Sequence, residues 1–275
     1  MYTTLKINQQ EIAYLDEGNG SPLILMHANP GDHQDFEAII PALTQQFRVL
    51  AIDWPGFGKS PAPNPPQSAS AFMYADLLQA FIEKLDLSNV ILIGNSVGGF
   101  AATRAAIDIP EQISGLILVS SGGFTENNLL TRTFSNLQGS EWITKHTVKA
   151  FAQWYLHKDT AVTRAMLTRC TTTQKTETAV AVNAAVWRSF LRPDHDLRQE
   201  ASAIQCPTLV INGKHDPVIA ANKDGKAAAT SIPNAKQIVL ETGHAPFAEE
   251  PARFLDVINQ FFVENKLQDK QLVKS

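Results

Sequence analysis

The 275-residue chain predicts an α/β fold built on a mostly parallel, doubly wound sheet, and three observations carry that expectation. Fully apolar runs recur at 23–26, 90–93 and 115–119, as they do in strands covered on both faces. Between them lie stretches with apolar residues at helical spacing, clearest at Tyr74, Leu77, Leu78, Phe81, Ile82 and Leu85. Strand alternating with helix calls for parallel neighbours joined by crossovers. The third observation is the run 90–93, which enters Gly94-Asn95-Ser96-Val97-Gly98 and leaves through Phe100-Ala101-Ala102. This is a G-x-S-x-G turn in a strand-to-helix setting.

Taken in order, residues 2–16 read as two short strands, with Ile12, Tyr14 and Asp16 alternating against Glu11, Ala13 and Leu15. The turn Gly18-Asn19-Gly20-Ser21-Pro22 closes an antiparallel start. The strand at 23–26 ends in His27-Ala28-Asn29-Pro30-Gly31, a loop at the carboxyl end of a central strand, where open α/β sheets place ligands. A short helical stretch around Ile39, Ile40 and Pro41 leads to a strand at 48–52 and the loop Asp53-Trp54-Pro55-Gly56-Phe57-Gly58-Lys59-Ser60, read as a turn and pocket wall. A proline-rich loop at 61–67 precedes the helix at 72–85. The elbow follows, and the strand at 115–119 ends in Ser120-Ser121-Gly122-Gly123.

From about 124 to 192 the pattern changes, with no buried strand, many threonines and alanines, and spaced aromatics including Phe134, Trp142, Trp154, Trp187 and Phe190. This segment is expected to be a helical insertion. The alternation resumes with strands at 207–211 and 236–240 and a helix near 222–229. Pro251 opens a final helix with Phe254, Leu255, Ile258, Phe261 and Phe262 on one stripe. The last dozen residues are polar and expected to fray.

Hydrophobic residues make up 44% of the chain and charged residues 18%, with a net charge of −4. Such a composition suits one large core. No basic run offers a nucleic-acid face, so no nucleic-acid partner is expected. No apolar run approaches membrane-spanning length and the start has no leader pattern. A cytoplasmic chain without membrane partner is therefore expected; a small-molecule substrate and a monomer or homodimer are expected as well, though composition does not dictate them. Cys170 and Cys206 lie far apart and suit a reducing compartment.

A serine on a strained strand-to-helix turn projects its hydroxyl beyond the sheet edge, and side chains two residues away would collide with nearby backbone. Such a nucleophile needs a base, and the base an orienting acid. Ser96, Asp216 and His244 each follow directly on a predicted strand, so all three emerge along one carboxyl edge. Asp216 also fits a helix cap. The helix after Ser96 aims the Val97 amide at a developing oxyanion. His33, His146, His157, His195 and His215 are scattered without zinc-ligand spacing, so no metal is expected.

The order Ser, Asp, His along the chain, with His27 to Gly31, Asp53-x-x-Gly56-x-Gly58-x-Ser60, Gly94 to Gly99, Gly213-x-x-Asp216 and Gly243-His244-x-Pro246, resembles the α/β-hydrolase fold superfamily. The resemblance implies an eight-stranded, mostly parallel sheet flanked by helices. It divides the chain into a core domain at 1–122 and 193–275 and a helical cap at 123–192. It implies a serine hydrolase of small to medium hydrophobic esters, working without a cofactor through Ser96, Asp216 and His244. The amides of Asn29 and Val97 would form the oxyanion hole, His27 would organise its loop, and Trp142, Trp187 and Phe124 would bind substrate. Asn29 itself is similar to the asparagine of haloalkane dehalogenases, which, like epoxide hydrolases, use an aspartate nucleophile; Ser96 argues against both. The elbow also resembles that of carbon–carbon bond hydrolases acting on ring-cleavage products. Ala245 stands where those enzymes usually carry Trp, and Arg188 is the residue that would meet a carboxylate. A hydrolase-fold receptor with little turnover is the alternative of a different class.

Overall fold

In the computed structural model, which describes residues 1–268, the alternation closes into one eight-stranded sheet in the order β1-β2-β4-β3-β5-β6-β7-β8. The chain begins with β1 (Tyr2–Ile7), β2 (Gln10–Glu17) and β3 (Pro22–Met26), followed by α1 (Ile40–Leu43), β4 (Arg48–Ile52) and α2 (Ala71–Lys84). The centre is β5 (Val90–Asn95), α3 (Val97–Asp108) and β6 (Ile113–Val119). Then come α4 (Leu129–Gln138), α5 (Glu141–Tyr155), α6 (Ala161–Thr173) and α7 (Glu177–Ser189). The sheet resumes with β7 (Thr208–Gly213), α8 (Lys226–Ser231), β8 (Lys236–Leu240), α9 (Pro246–Glu249) and α10 (Pro251–Glu264). Pairing is antiparallel for β1 with β2 and β2 with β4, and parallel from there on.

Burial explains why the central strands carry no polar alternation. Along β5, Val90 and Leu92 join a core with Phe81 and Phe100 from α2 and α3, while Ile91 and Ile93 join a second core with Phe254 and Phe262 from α10. Both faces are covered, so every position must be apolar. Ser70 caps α2 by accepting from the Met73 amide, and Pro251 opens α10 as expected. The helix expected at 222–229 differs in detail: a turn of π-helix at Ala221–Gly225 precedes α8. Asp224 folds back there to accept the Ala220 amide at 2.8 Å, which keeps the turn wide. The expectation of a frayed terminus falls, from residue 269 onward, outside the described residues.

The segment expected as a helical insertion holds α4 to α7, which pack on one another between β6 and β7. Their own aromatic cluster centres on Phe151, Tyr155 and Trp187. Towards the sheet, Val182, Ala185 and Val186 of α7 and Met166 of α6 join the cores, and a charged contact adds to them. Arg169 of α6 reaches Asp35 at 2.9 Å and Asp32 at 3.2 Å, both in the turn that follows β3. Burial, reinforced by the neighbouring Asp32, pushes the Asp35 carboxyl up to about 7 despite the guanidinium.

Replacing Arg169 by Met leaves these carboxylates buried and unpaired, and urea unfolding at pH 8 should show a loss of about 3–5 kcal/mol. The folded pKa of Asp35 lies above its unfolded value of 3.8. The linked stability is thus present in full below pH 3.8 and lost as pH rises through about 7. Without Arg169 the carboxyl rises further, so at pH 5 the deficit should shrink by at least about 1 kcal/mol. An equal deficit at the two pH values would contradict this account.

Candidate active site

The turn between β5 and α3 is the most constrained backbone near the sheet edge. Ser96 adopts φ 57° and ψ −113°, a conformation that a non-glycine residue holds only when its surroundings impose it. The surroundings here are backbone. A Cβ at Gly94 would lie 2.3 Å from the Gly98 carbonyl oxygen, and one at Gly98 would lie 2.4 Å from that of Met26. The Ser96 amide donates to Val119 at 3.1 Å, and its carbonyl accepts from Gly122 at 2.9 Å. Both glycines of the pentapeptide are therefore demanded by α3 lying directly on β3. Val97 is the first residue of α3, so its amide is among those a helix leaves without an internal acceptor.

Asp216 and His244 meet as the sequence predicts. Asp216, in the loop after β7, faces His244 Nδ1 with Oδ2 at 2.7 Å, while its Oδ1 accepts from the amides of Val218 at 2.8 Å and Ile219 at 3.1 Å. Burial alone would raise this carboxyl; the facing imidazole and the two amides outweigh burial and hold it below the usual range. Asn95 ties the elbow to the histidine loop, its amide nitrogen donating to the carbonyls of Val119 at 3.0 Å and His244 at 3.1 Å. Among the described residues the Ser96 hydroxyl forms no hydrogen bond. The Asp–His pair is thus assembled, and Asn95, next to Ser96 in the chain, is hydrogen-bonded to the histidine's carbonyl.

The loop after β3 is organised by His27. Its Nε2 accepts the Trp54 amide at 2.9 Å, so the proton sits on Nδ1, which donates to the Ala28 carbonyl at 2.7 Å. Complete burial lowers its pKa and keeps the ring neutral. Asn29 follows, with its side-chain nitrogen donating to Asn183 Oδ1 of α7 at 3.1 Å, and Asn183 in turn donates to Gln174 at 3.0 Å. The Asn29 side-chain nitrogen is thus engaged with the helical insertion.

A cavity of about 320 Å³ opens at Ser96 and Gly122, under an apolar wall of Phe134, Trp154, Trp187 and Phe190 from α4 to α7 and the turn beyond, with Val218 and Ile219 opposite. Of the residues expected to bind substrate, Trp187 lines it. Trp142 does not: it is 70% exposed on the outer face of α5, beside Glu141 and Lys145 and against the His146 ring. Phe124 does not either, because the chain turns inward after Gly123 and buries this ring in the core. Arg188 donates to the Gly139 carbonyl and does not border the cavity. Asn29, Val97, Asp216 and His244 are not among the residues that line it.

Sequence reading missed the device that holds His244. Glu249 is buried, and its carboxylate accepts four backbone amides: Gly243 at 2.8 Å, Ala245 at 3.2 Å, His157 at 3.0 Å and Lys158 at 2.9 Å. The His244 amide itself donates to the Tyr155 carbonyl at 2.8 Å, and the Tyr155 ring meets the imidazole edge to face with centroids 5.3 Å apart. One carboxylate thereby clamps the histidine turn to the linker between α5 and α6. Its signal in the sequence is the pair Glu249-Glu250 before Pro251, five residues after the histidine. Among the described residues, no group of three His, Cys, Asp or Glu could hold a metal ion, and no helix is long and apolar enough to cross a membrane.

Residues 21–251 match the model of the alpha/beta hydrolase fold family. The chain is 26% identical over 259 residues to 2-hydroxy-6-oxo-6-(2'-aminophenyl)hexa-2,4-dienoic acid hydrolase of Metapseudomonas resinovorans, covering 91% of this chain and 87% of that protein. It is likewise 26% identical over 276 residues to pimeloyl-[acyl-carrier protein] methyl ester esterase of Aeromonas hydrophila, covering 89% and 96%. Among solved structures, the enol-lactonase from Burkholderia xenovorans superposes with a TM-score of 0.80 at 22% identity, over 95% of this chain and all of that one.

Glu249→Gln trades two strong acceptor oxygens for one and an unmatched N–H₂, and should lower unfolding stability by about 2–3 kcal/mol. Amide hydrogen exchange should quicken together at Gly243, Ala245, His157 and Lys158. Unchanged exchange at the last two would mean that the clamp does not bind the linker.

Proposed function

The chain belongs to the alpha/beta hydrolase fold family, and from that premise we propose that it is a serine hydrolase cleaving small to medium hydrophobic carboxylic esters through an acyl-enzyme on Ser96. The observation that carries the reading is the buried Asp216–His244 pair at 2.7 Å, set at the same sheet edge as a serine held on a strained elbow that opens into an apolar cavity. In the mechanism, substrate entering the cavity places its carbonyl at Ser96. His244 Nε2 takes the hydroxyl proton as Oγ attacks, and Asp216 stabilises the imidazolium through Nδ1–H. The amides of Val97 and Asn29 receive the oxyanion, each donor contributing roughly 3–4 kcal/mol in comparable chemistry. His244 then protonates the leaving alcohol, activates water, and the acyl-enzyme is hydrolysed.

The missing serine–histidine bond agrees with this order of events, since such contacts often tighten only with substrate in place. The helices α4 to α7 serve as the cap that supplies the acyl wall. Cleavage of carbon–carbon bonds is the second reading, and similarity to the ring-cleavage hydrolase favours it. Against it, Arg188 is spent on a backbone carbonyl rather than turned to the cavity.

With p-nitrophenyl esters from acetate to octanoate, wild type should turn over and incorporate one fluorophosphonate, read by intact mass. Ser96→Ala should do neither, and Asp216→Asn should lower kcat by about 10⁴-fold. Labelling without turnover of any ester would move the assignment to carbon–carbon cleavage, and folded wild type that neither labels nor turns over would defeat the nucleophile itself.

A further inference from the structure

His195 is buried, yet it borders the same cavity as Ser96. Its ring is stacked between Phe100 and Phe190, with centroids 4.6 Å away on each side at 16° and 28°. A phenyl ring would fill that slot equally well by packing. An imidazole there brings two ring nitrogens, and neither has a hydrogen-bond partner among the described residues. Nδ1 is sealed from both solvent and partners. Nε2 points towards Gly122, where a Cβ would lie 3.7 Å from it and 3.4 Å from the Ser96 carbonyl oxygen. The ring nitrogen and the nucleophile's own backbone are therefore no more than about 7 Å apart across a glycine.

The tautomer follows from where each nitrogen sits. A buried N–H without an acceptor is tolerated less well than a buried lone pair without a donor. The proton accordingly belongs on Nε2, the nitrogen turned to the cavity. Burial holds the ring's pKa down to about 4, and the nearby Asp194 and Asp196 are themselves paired with Arg192 and Arg198. At neutral pH the ring is an uncharged donor, aimed at the cavity and lacking an acceptor.

We propose that His195 is a substrate-binding residue whose Nε2–H donates to an uncharged oxygen, a ketone, ester or ether, carried by the substrate beside the carbonyl that Ser96 attacks. The site thus takes oxygenated esters in preference to plain alkyl esters. An uncharged ring gives an anion no special attraction, so the donor itself selects for a neutral oxygen; the charged groups on the same wall, Glu126, Asp196 and Arg132, are of both signs. This inference rests on the serine-hydrolase reading for the ester it names, while the donor at Nε2 can be tested without it.

The test compares matched esters: p-nitrophenyl 4-oxopentanoate against pentanoate, 5-oxohexanoate against hexanoate, and 2-methoxyethyl butanoate against butyl butanoate. Within at least one pair, wild type should favour the oxygenated member by about tenfold in kcat/KM, as one directed hydrogen bond allows. His195→Phe should abolish that ratio, and His195→Gln, which keeps an N–H donor, should restore part of it. Because the ratio is taken within one enzyme, losses common to both members cancel. A ratio near one in wild type, or one that survives in His195→Phe, overturns the proposal. If wild type cleaves no ester, the serine-hydrolase reading fails separately, and ¹⁵N NMR of the imidazole still decides this one. An Nε2–H tautomer whose shift moves on titrating methyl 4-oxopentanoate but not methyl pentanoate supports it; an Nδ1–H tautomer, or no selective shift, overturns it.

Discussion

The close approach of α3 to β3 is the constraint on which the rest of the site depends. The Gly98 position leaves no room for a side chain against the Met26 carbonyl, and Gly94 none against Gly98. With the helix pressed down in this way, the chain has one short turn in which to change direction, and Ser96 absorbs it with a positive φ. Strain of this kind amounts to about 1–3 kcal/mol. The two-sided core around β5 holds it in place, because relaxing the turn would lift α3 off both Phe81 and the sheet. Side-chain chemistry at the edge is thus a by-product of backbone crowding beneath it.

A second theme is how the helices between β6 and β7 are joined to the sheet. Among the polar links that cross the seam are Arg169 to Asp32 and Asp35, Asn29 to Asn183, and the Glu249 carboxylate to the amides of His157 and Lys158. Each ends on a loop that also carries a candidate catalytic group. Polar links demand defined geometry where apolar contacts tolerate sliding. The helices are therefore held in register with the loop after β3 and the histidine turn, not merely laid over them.

The sheet was legible in the sequence because strands buried on both faces must be apolar throughout, and 23–26, 90–93 and 115–119 leave no competing pattern. Ser96 and Asp216 stood out as candidates because each follows such a run; the strand before His244, Lys236–Leu240, is only partly buried, and there the Gly243-His244-x-Pro246 turn was the signal. The cavity was not. Trp142 and Trp187 look alike as letters, and helical phase alone puts one on the outer face of α5 and the other inward from α7. Glu249 and His195 were missed for a related reason: a carboxylate accepting amides from a linker some ninety residues away, or an imidazole slotted between two phenyl rings, leaves no periodic trace.

The strands β6 and β7 lie side by side, with Val119 opposite Ile211, although α4 to α7 intervene along the chain. The excursion leaves the sheet at one strand and returns at the next, so its length is invisible to the hydrogen-bond ladder. Loop-closure entropy grows only logarithmically with such a detour. The sheet therefore bears the detour at little cost to its ladder, while Tyr155, His157 and Lys158 within it still reach back to the histidine turn. One chain thus keeps an unbroken ladder along the edge that bears Ser96, and hangs from it, between two neighbouring rungs, the helices that wall the cavity.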